Sequence, residues 1–429
     1  MKSQTFALRL FRLACSDAAR FKDLSNFIIS SLKFSNGIKV QRDGNKIVVC
    51  EGENCSKNVT INYSGKVYVS YNSKDLLKLV TSIVVKFLAT DGVKKIVLLF
   101  RKESGDTYSK VSTRLRPCES SAVKVAAHAP MFSFLLSIVV ALVVIVLYHS
   151  ILLSLLAAAV SSVFVTILFT SVLVSKLRLI GVEGLNLLKV EIWYRIDAPE
   201  SRVNALLRFL KSVDTVSGSI EDFFRTVAET ILGEHLVKVR LCNVELRDPV
   251  RQVLKRNRIR LLLVHSEHPE AFSLVVPPVC KYIVLTTKLV ALLEPDEVHA
   301  VIAHEVGHIV NRDHVHCLLF TLLNAVVVYC LYLIVTTFTF PLSISFLLFL
   351  GYIVSAMFLA RHMARKAEHK ADRYAISVVG PRSLMMALIR VAWRSLVAEL
   401  NSGVSYIFSK IFSSHPPVID RLMSTMFSL

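Results

Sequence analysis

The amino-acid sequence predicts an α+β protein that is mostly helical, with a small edge sheet, two transmembrane helical hairpins and an N-terminal α+β domain. Hydrophobic residues make up 53% of the 429 residues, and the mean hydropathy is +0.54. That is too apolar for an ordinary soluble protein and indicates membrane segments. Between the most apolar stretches, short strand-like runs alternate with segments of helical spacing, which is the second observation behind the α+β class.

Four apolar stretches are long enough to cross a bilayer, which takes about 20 residues in a helix. Two residues separate the first pair, and Pro341 lies between the second pair, so each pair predicts a tight hairpin. Buried core hairpins are the alternative, but runs of this length without charges disfavour it. The stretches are residues 131–148, 151–175, 317–338 and 342–360.

The distribution of charge predicts the orientation of these hairpins. The two hairpin tips carry no Lys or Arg, whereas the polar segments contain all of the basic residues. Because basic residues favour the cytoplasmic side, we expect four transmembrane helices with both termini and every polar segment in the cytoplasm. The net charge of +19 is then consistent with contact between the protein and anionic lipid headgroups. No nucleic-acid-binding motif is present, and we expect no nucleic-acid partner.

These boundaries predict a division of the chain into five parts. Residues 1–127 form a soluble basic α+β domain, with strands expected at 46–50, 58–63, 66–71 and 94–102 and a helix at 73–89. Residues 128–175 form the first hairpin and 317–360 the second. Residues 176–316 and 361–429 form the two halves of a third domain on the cytoplasmic side, which contains the motifs described next and is therefore the expected catalytic domain.

The most informative motif is "AHEVGH" within a helix that we expect to begin at "EPDE", residues 294–297, where proline and acids are typical of a first turn. Four residues advance a helix by about 400°, so His304 and His308 share a face and can bind one metal ion together. Glu305 is turned by about 100° from His304 and can accept a proton from water beside that metal. Gly307 costs about 1 kcal/mol in mid-helix relative to Ala, so we expect a strand or substrate to pass close to it.

A catalytic zinc site usually has three protein ligands, so one more ligand is needed. Glu368 and Asp372 are four residues apart in "ARKAEHKADRYA", on one face of the helix that follows the last apolar stretch. Glu368 can bind zinc, and Asp372 can accept a hydrogen bond from a ligand histidine. By spacing alone, a solvated charged helix face is the better explanation of the two acids. Glu270 and His415 are the rival ligands.

The sequence resembles the HtpX-type membrane zinc metallopeptidases, which are related to the CAAX prenyl endopeptidases. The matching segments are "LEPDEVHAVIAHEVGHIVNRD", "RKAEHKADRYA" and "SHPPVIDRL", and more weakly "HPEAFSL". They extend from about residue 181 to the end of the chain. This resemblance implies a mostly helical zincin-like metallopeptidase domain with a small edge sheet.

The resemblance also implies roles for particular residues. His304, His308 and Glu368 are the expected Zn²⁺ ligands, Glu305 is the general base, and Asp372 takes the place of the family's Asp after the ligand Glu. Edge-strand residues are expected to bind the substrate backbone, and two further residues are expected to contact the active site. The edge-strand residues are Ala271, Phe272 and Ser273, and the two further residues are His415 and Arg365.

Two positions depart from the family pattern and leave the substrate preference open. Glu270 stands where the family often has Asn, and Ala367 stands where it often has Arg. The resemblance does not include the N-terminal domain, whose role and any autoinhibition or self-cleavage stay open, as does the oligomeric state.

Several functional hypotheses follow. The first is a membrane-integrated zinc endopeptidase that cleaves misfolded membrane or cytoplasmic proteins at the cytoplasmic face, in protein quality control, with protein or peptide substrates and the lipid bilayer as partners. A CAAX-type processing protease is the alternative, disfavoured because four spans are few for a large intramembrane chamber. Intramembrane proteolysis is disfavoured because charged residues flank the motif. The non-enzymatic alternative is a catalytically silent membrane-anchored adaptor, disfavoured by the intact Glu305 and Glu368.

Overall fold

The structure is a computed structural model. It describes residues 2–32, 35, 37–52, 55–90, 94–103, 106–111, 180–181, 186–195, 197–276, 280–412 and 415–426, with isolated positions between 139 and 164. The first predicted hairpin, residues 128–175, lies outside the described residues apart from those isolated positions. It therefore stays a prediction.

The N-terminal region places three helices beside an antiparallel four-stranded sheet with the strand order β1-β2-β3-β4. The strands expected at 46–50, 58–63 and 66–71 are present as β2, β3 and β4, and the expected helix is α3. Ser73 Oγ accepts a hydrogen bond from the Leu76 amide at the start of α3, which is typical of a helix N-cap. The elements are α1 (Lys2–Ala14), α2 (Ala18–Leu32), β1 (Ile38–Asp43), β2 (Lys46–Glu51), β3 (Lys57–Tyr63), β4 (Val67–Tyr71) and α3 (Lys74–Thr90).

A second, five-stranded antiparallel sheet joins chain segments from both sides of the first predicted hairpin. Its order is β10-β8-β5-β6-β9; β5 and β6 precede residue 127, whereas β8, β9 and β10 follow residue 186. The domain boundary predicted at residue 127 therefore separates strands that share one sheet. The next elements are β5 (Lys94–Lys102), β6 (Thr107–Lys110), β7 (Ile180–Gly181), β8 (Leu187–Tyr194), α4 (Glu200–Ser212), β9 (Thr215–Ser217), α5 (Ile220–Leu232) and β10 (Leu236–Val244).

Buried charges connect this five-stranded sheet to the following domain. The Nζ atoms of Lys189 and Lys95 lie 2.9 and 3.0 Å from Glu191 Oε1, and the side chains of Lys189 and Glu191 are fully buried. Lys189 also donates a hydrogen bond of 2.8 Å to the Leu293 carbonyl. Because a buried charge is costly unless it is paired, these contacts fix the sheet against the segment at Leu293, just before the motif helix.

The third sheet has the order β12-β13-β11-β7. Strand β12 pairs antiparallel with β13, which pairs parallel with β11. Within the described part of the chain, β12 has no second partner strand, and it lies against α8. The elements of this region are α6 (Val250–Arg256), β11 (Ile259–Val264), β12 (Ala271–Val276), β13 (Cys280–Thr286), α7 (Thr287–Leu292) and α8 (Pro295–Val310).

Two long helices correspond to the third and fourth apolar stretches. Both are long and apolar enough to cross a membrane, and many of their large apolar side chains are exposed, such as Leu323, 58% exposed, and Phe346, 64% exposed. Tyr352 donates a hydrogen bond to the buried Asn324, which ties the two helices together. The last elements are α9 (Asp313–Thr337), α10 (Leu342–Val379), α11 (Pro381–Asn401), α12 (Gly403–Phe412) and α13 (Val418–Met426).

The N-terminal and C-terminal regions share one hydrophobic core. Side chains of α11 and α13, including Ile389 and Leu422, are buried in the same cluster as Leu88 of α3 and Phe11 of α1. Arg9 of α1 donates a hydrogen bond to the carbonyl of Met426 in α13. The N-terminal domain therefore packs directly on the helices that follow the second predicted hairpin.

Candidate metal centre

The motif lies on α8, which begins where the sequence predicts. Pro295 is its first residue, and the Glu294 amide donates a hydrogen bond of 2.9 Å to Glu297 Oε2 as part of a capping box. His304 and His308 face the same side, with their Nε2 atoms 3.2 Å apart. The helix thus presents two imidazole nitrogens to one point.

Gly307 allows α10 to cross α8 at close range. A Cβ atom at position 307 would stand 2.9 Å from Ala371 Cα and 3.2 Å from the Ala371 carbonyl oxygen. The expectation of a nearby strand or substrate was therefore wrong, because the neighbour is the backbone of a helix. Close packing of the two helices is what brings the face of α10 that carries Glu368 to the histidines.

Glu368 completes a three-residue cluster. Its Oε2 lies 3.4 Å from His304 Nε2, and its Oε1 lies 3.7 Å from His308 Nε2. One ligand atom from each of these residues lies within 4.8 Å of the others. The structure thus brings together residues that are 60 positions apart in the chain, across the second hairpin.

Each histidine of the cluster also has a carboxylate at its other ring nitrogen. His304 Nδ1 is 3.0 Å from Asp372 Oδ1, and His308 Nδ1 is 2.7 Å from Asp313 Oδ2. A carboxylate at Nδ1 favours the tautomer that leaves Nε2 free to bind a metal. Asp372 occupies the position expected from the sequence, whereas Asp313 was missed. Its only signal in the sequence is its place just after the motif helix, where Arg312 adopts a left-handed conformation with φ 56° and turns the chain into α9.

Arg421 of α13 holds the two acids of α10 in place, and sequence reasoning did not find it. It binds Asp372 through two hydrogen bonds of 2.6 and 2.9 Å, and its Nη1 lies 3.3 Å from Glu368 Oε2. His415 lies beside it, with Nδ1 2.8 Å from Glu368 Oε1. This hydrogen bond raises the pKa of His415, and the side chain of His415 is 65% exposed. Both residues belong to the "SHPPVIDRL" segment.

The chemistry of these groups fits a divalent metal ion. Two imidazole nitrogens and one carboxylate are the donor set of many catalytic zinc sites. Within the described chain, the buried Glu368 Oε2 accepts no hydrogen bond. Burial disfavours a charged His304, but the adjacent carboxylates of Asp372 and Glu368 prevail and raise the pKa of His304 to about 10. The cluster therefore strongly favours a positive charge at this point, as a cation site does.

The structure places the remaining expected residues at different distances from this centre. Glu305 is buried on α8 next to His304 in sequence. Arg365 donates a hydrogen bond to the Lys410 carbonyl of α12, so its guanidinium is engaged outside the cluster. The three expected substrate-binding residues lie in β12, where they pair with β13. They are Ala271, Phe272 and Ser273, opposite Leu285, Val284 and Ile283.

The site combines a helix carrying H-E-x-x-H, a carboxylate from a second helix and an adjacent edge strand. This is the arrangement of a zincin-type metallopeptidase domain. Residues 251–425 match the profile described as Peptidase family M48. This part of the chain is an M48 peptidase domain, and the resemblance seen in the sequence is confirmed.

Individual relatives show the same similarity. Protease HtpX of Pasteurella multocida is 26% identical over 234 residues, which cover 48% of this chain and 81% of that protein. The Protease HtpX homolog of Pelotomaculum thermopropionicum is 26% identical over 205 residues, covering 41% and 73%. CAAX prenyl protease 1 of Saccharomyces cerevisiae is 27% identical over 186 residues, covering 37% and 40%. Among solved structures, S. mikatae Ste24p gives a TM-score of 0.40 at 16% identity, covering 73% of this chain and 68% of that one.

Proposed function

We propose that this protein is a membrane-integrated, zinc-dependent endopeptidase that cleaves misfolded membrane or cytoplasmic proteins at the cytoplasmic face. The observation that carries the proposal is the convergence of His304, His308 and Glu368 at α8, the helix against which β12 lies. In the described part of the chain, one edge of β12 has no partner strand. The M48 domain supports peptide-bond hydrolysis, and the two exposed apolar helices α9 and α10 support a membrane location.

Each group at the site has a separate role in the proposed hydrolysis of the peptide bond. Zinc, when bound, supplies a Lewis acid that acidifies water and polarises the scissile carbonyl. Glu305 accepts a proton from the attacking water and delivers it to the leaving amine. The free edge of β12 offers backbone amides and carbonyls to an extended peptide, which then lies along α8. Asp372, Asp313 and Arg421 keep the ligands oriented.

Casein digestion by the detergent-solubilised protein tests the proposal. We expect cleavage that a chelator abolishes and that added zinc restores. Glu305→Gln should retain the metal and lose cleavage, because an amide has the shape of the carboxylate but cannot accept the proton. Metal content measured on the same samples separates the two effects. An adaptor without activity would bind zinc without cutting any substrate, and cleavage by Glu305→Gln at near the wild-type rate would remove Glu305 from the mechanism.

CAAX-type processing is the second candidate, favoured by the similarity to the protein named CAAX prenyl protease 1. Comparing a C-terminally prenylated peptide with casein as substrates decides between the two. Selective cleavage of the prenylated peptide would replace quality control as the proposed role.

The orientation of the protein is part of the proposal. Cysteines introduced near His149 or Pro341 should react with a membrane-impermeant maleimide added to intact cells, because both hairpin tips face outward. Cysteines introduced in residues 1–120 or 361–429 should react only after permeabilisation. Reaction of the N-terminal segment from outside would place the candidate active site on the opposite side of the membrane.

A further inference from the structure

Helix α12 exposes apolar side chains although it is packed on the protein. Val404 is 76% exposed and Ile407 is 55% exposed, and because they are three residues apart they lie on one face of the helix. The attachment of α12 is on another side: the Tyr406 hydroxyl lies 3.1 and 3.3 Å from the two carboxylate oxygens of Asp420 in α13. The exposed face is therefore presented outward by a helix whose position is fixed.

The depth of α12 relative to the proposed membrane follows from its contact with α10. Arg365 donates a hydrogen bond to the Lys410 carbonyl near the C-terminal end of α12. Arg365 lies five residues beyond Ala360, the last residue of the apolar stretch, on the same continuous helix. At 1.5 Å per residue this is about 7.5 Å beyond the hydrocarbon. Headgroup layers are about 5–8 Å deep on each side of a bilayer, so α12 meets α10 at headgroup level.

Basic residues accompany the apolar face at this depth. Lys366 follows Arg365 on α10, and Lys410 lies on α12; both are exposed. Helices that lie in a membrane surface typically have apolar side chains on one face and lysines at the depth of the lipid headgroups.

We propose that α12 is a membrane-surface helix whose Val404 and Ile407 insert between lipids of the cytoplasmic leaflet, with Lys366 and Lys410 against anionic headgroups. The proposal rests on the membrane location proposed above but not on proteolysis. It gives the bilayer a direct contact with the segment that leads to the metal centre, since α12 ends at Phe412 and His415 contacts Glu368.

Fluorescence quenching in proteoliposomes tests this contact. The full chain, with its native cysteines replaced, carries Val404→Cys or Ile407→Cys labelled with an environment-sensitive dye. The vesicles contain phosphatidylcholine and phosphatidylglycerol, with or without a lipid bearing a nitroxide near the top of its acyl chain. Val237→Cys in β10, where the native side chain is 50% exposed, is the matched control, and retention of zinc shows that each variant is folded.

We expect the nitroxide lipid to quench the dye at 404 and 407 several-fold more than at 237, and aqueous iodide to show the opposite order. Equal quenching at all three positions by both agents would overturn the proposal. A dye shielded from iodide but unaffected by the nitroxide lipid would also overturn it, since protein would then cover the face. Loss of casein cleavage leaves the quenching unchanged, so failure of the proposed activity is seen separately.

Discussion

His304 and His308 each have one ring nitrogen at the cluster and the other at a carboxylate. This division of roles matters because a neutral imidazole carries only one N–H, and the carboxylate decides which nitrogen holds it. Asp313 contacts His308, whereas Asp372 contacts both His304 and Arg421. Asp313 therefore offers the simpler test of how an acid beyond the ligands tunes the site.

We predict that Asp313→Ala lowers zinc affinity by about 10–100-fold, the usual effect of losing such a partner. Glu368→Ala should lose zinc far more completely, because it removes a donor atom. Glu270→Ala is the matched control, because it removes the acid that is the rival candidate for the third ligand. It should bind zinc with wild-type affinity. Competition with a chromophoric chelator measures all three. Full zinc occupancy in Glu368→Ala after dialysis, or loss of zinc in Glu270→Ala, would show that the third ligand lies elsewhere.

At the residue scale, the sequence predicts only what local periodicity dictates. The pairing of His304 with His308 follows from the repeat of the helix, and Glu368 followed from the resemblance of its surrounding segment. Asp313 and Arg421 reach the site because the chain turns at Arg312 and because α13 packs on α10. Such approaches depend on tertiary packing and leave no spacing signal in the sequence.

At the scale of elements, the crossing of α8 and α10 decides whether three ligands can meet. The sequence predicts the start of α8 correctly, since Pro295 and the acids around it act locally. It also predicts the stretches 317–338 and 342–360 as helices. The structure shows in addition that the last apolar stretch and the segment of Glu368 form the single helix α10. It also shows that Gly307 faces this helix, which depends on how α8 and α10 pack together.

We predict that Gly307→Ala weakens metal binding without unfolding the protein. The added methyl would stand 2.9 Å from Ala371 Cα, so the two helices must separate, and overpacking of this kind costs about 1–3 kcal/mol. If that cost falls on the metal-bound state, zinc affinity drops by about 5- to 140-fold, since each 1.4 kcal/mol is a factor of ten. Isothermal titration with zinc measures the change.

Gly351→Ala on α10 is the matched control for this variant. Among the described residues, no atom outside its own stretch of helix lies within 4 Å of the place where its Cβ would stand, so zinc affinity should be unchanged. Equal affinity in Gly307→Ala and the wild type would show that the crossing distance does not limit metal binding.

At the scale of the whole molecule, the N-terminal domain and the candidate metal centre are connected through one hydrophobic core. Arg421 lies on α13, and α13 shares a hydrophobic core with α1 and α3. The sequence predicts residues 1–127 as a separate domain, because strand and helix patterns describe elements and carry no information about which surfaces meet. The shared core and the strands β5 and β6 tie this region to the rest of the chain.

We predict that zinc slows hydrogen exchange in α3, although α3 contributes no ligand. A ligand present at 100 times its Kd stabilises the folded state by about 2.7 kcal/mol. Hydrogen exchange should therefore slow by up to about 100-fold in any region that unfolds together with the candidate metal centre. Helix α5, which packs in a different core, serves as the internal comparison. Exchange measured by mass spectrometry should slow in α3 more than in α5, and Glu368→Ala should abolish the difference. Identical exchange in α3 with and without zinc would mean that the N-terminal core opens independently.

In the membrane location proposed above, the uninterrupted length of α10 connects the position of Glu368 to the lipids around the helix. The helix runs from Leu342 to Val379, about 57 Å at 1.5 Å per residue, and Glu368 lies on the part that extends beyond the apolar stretch. Transmembrane helices adapt to thicker or thinner bilayers by tilting. When such a helix tilts about its centre, its protruding end moves sideways, and Glu368 moves with it. The histidines lie on α8, which a sharp turn at Arg312 separates from α9. In the membrane location proposed above, bilayer thickness would therefore change the distance between the carboxylate and the imidazoles, and we expect the affinity for the metal to differ between thicker and thinner membranes.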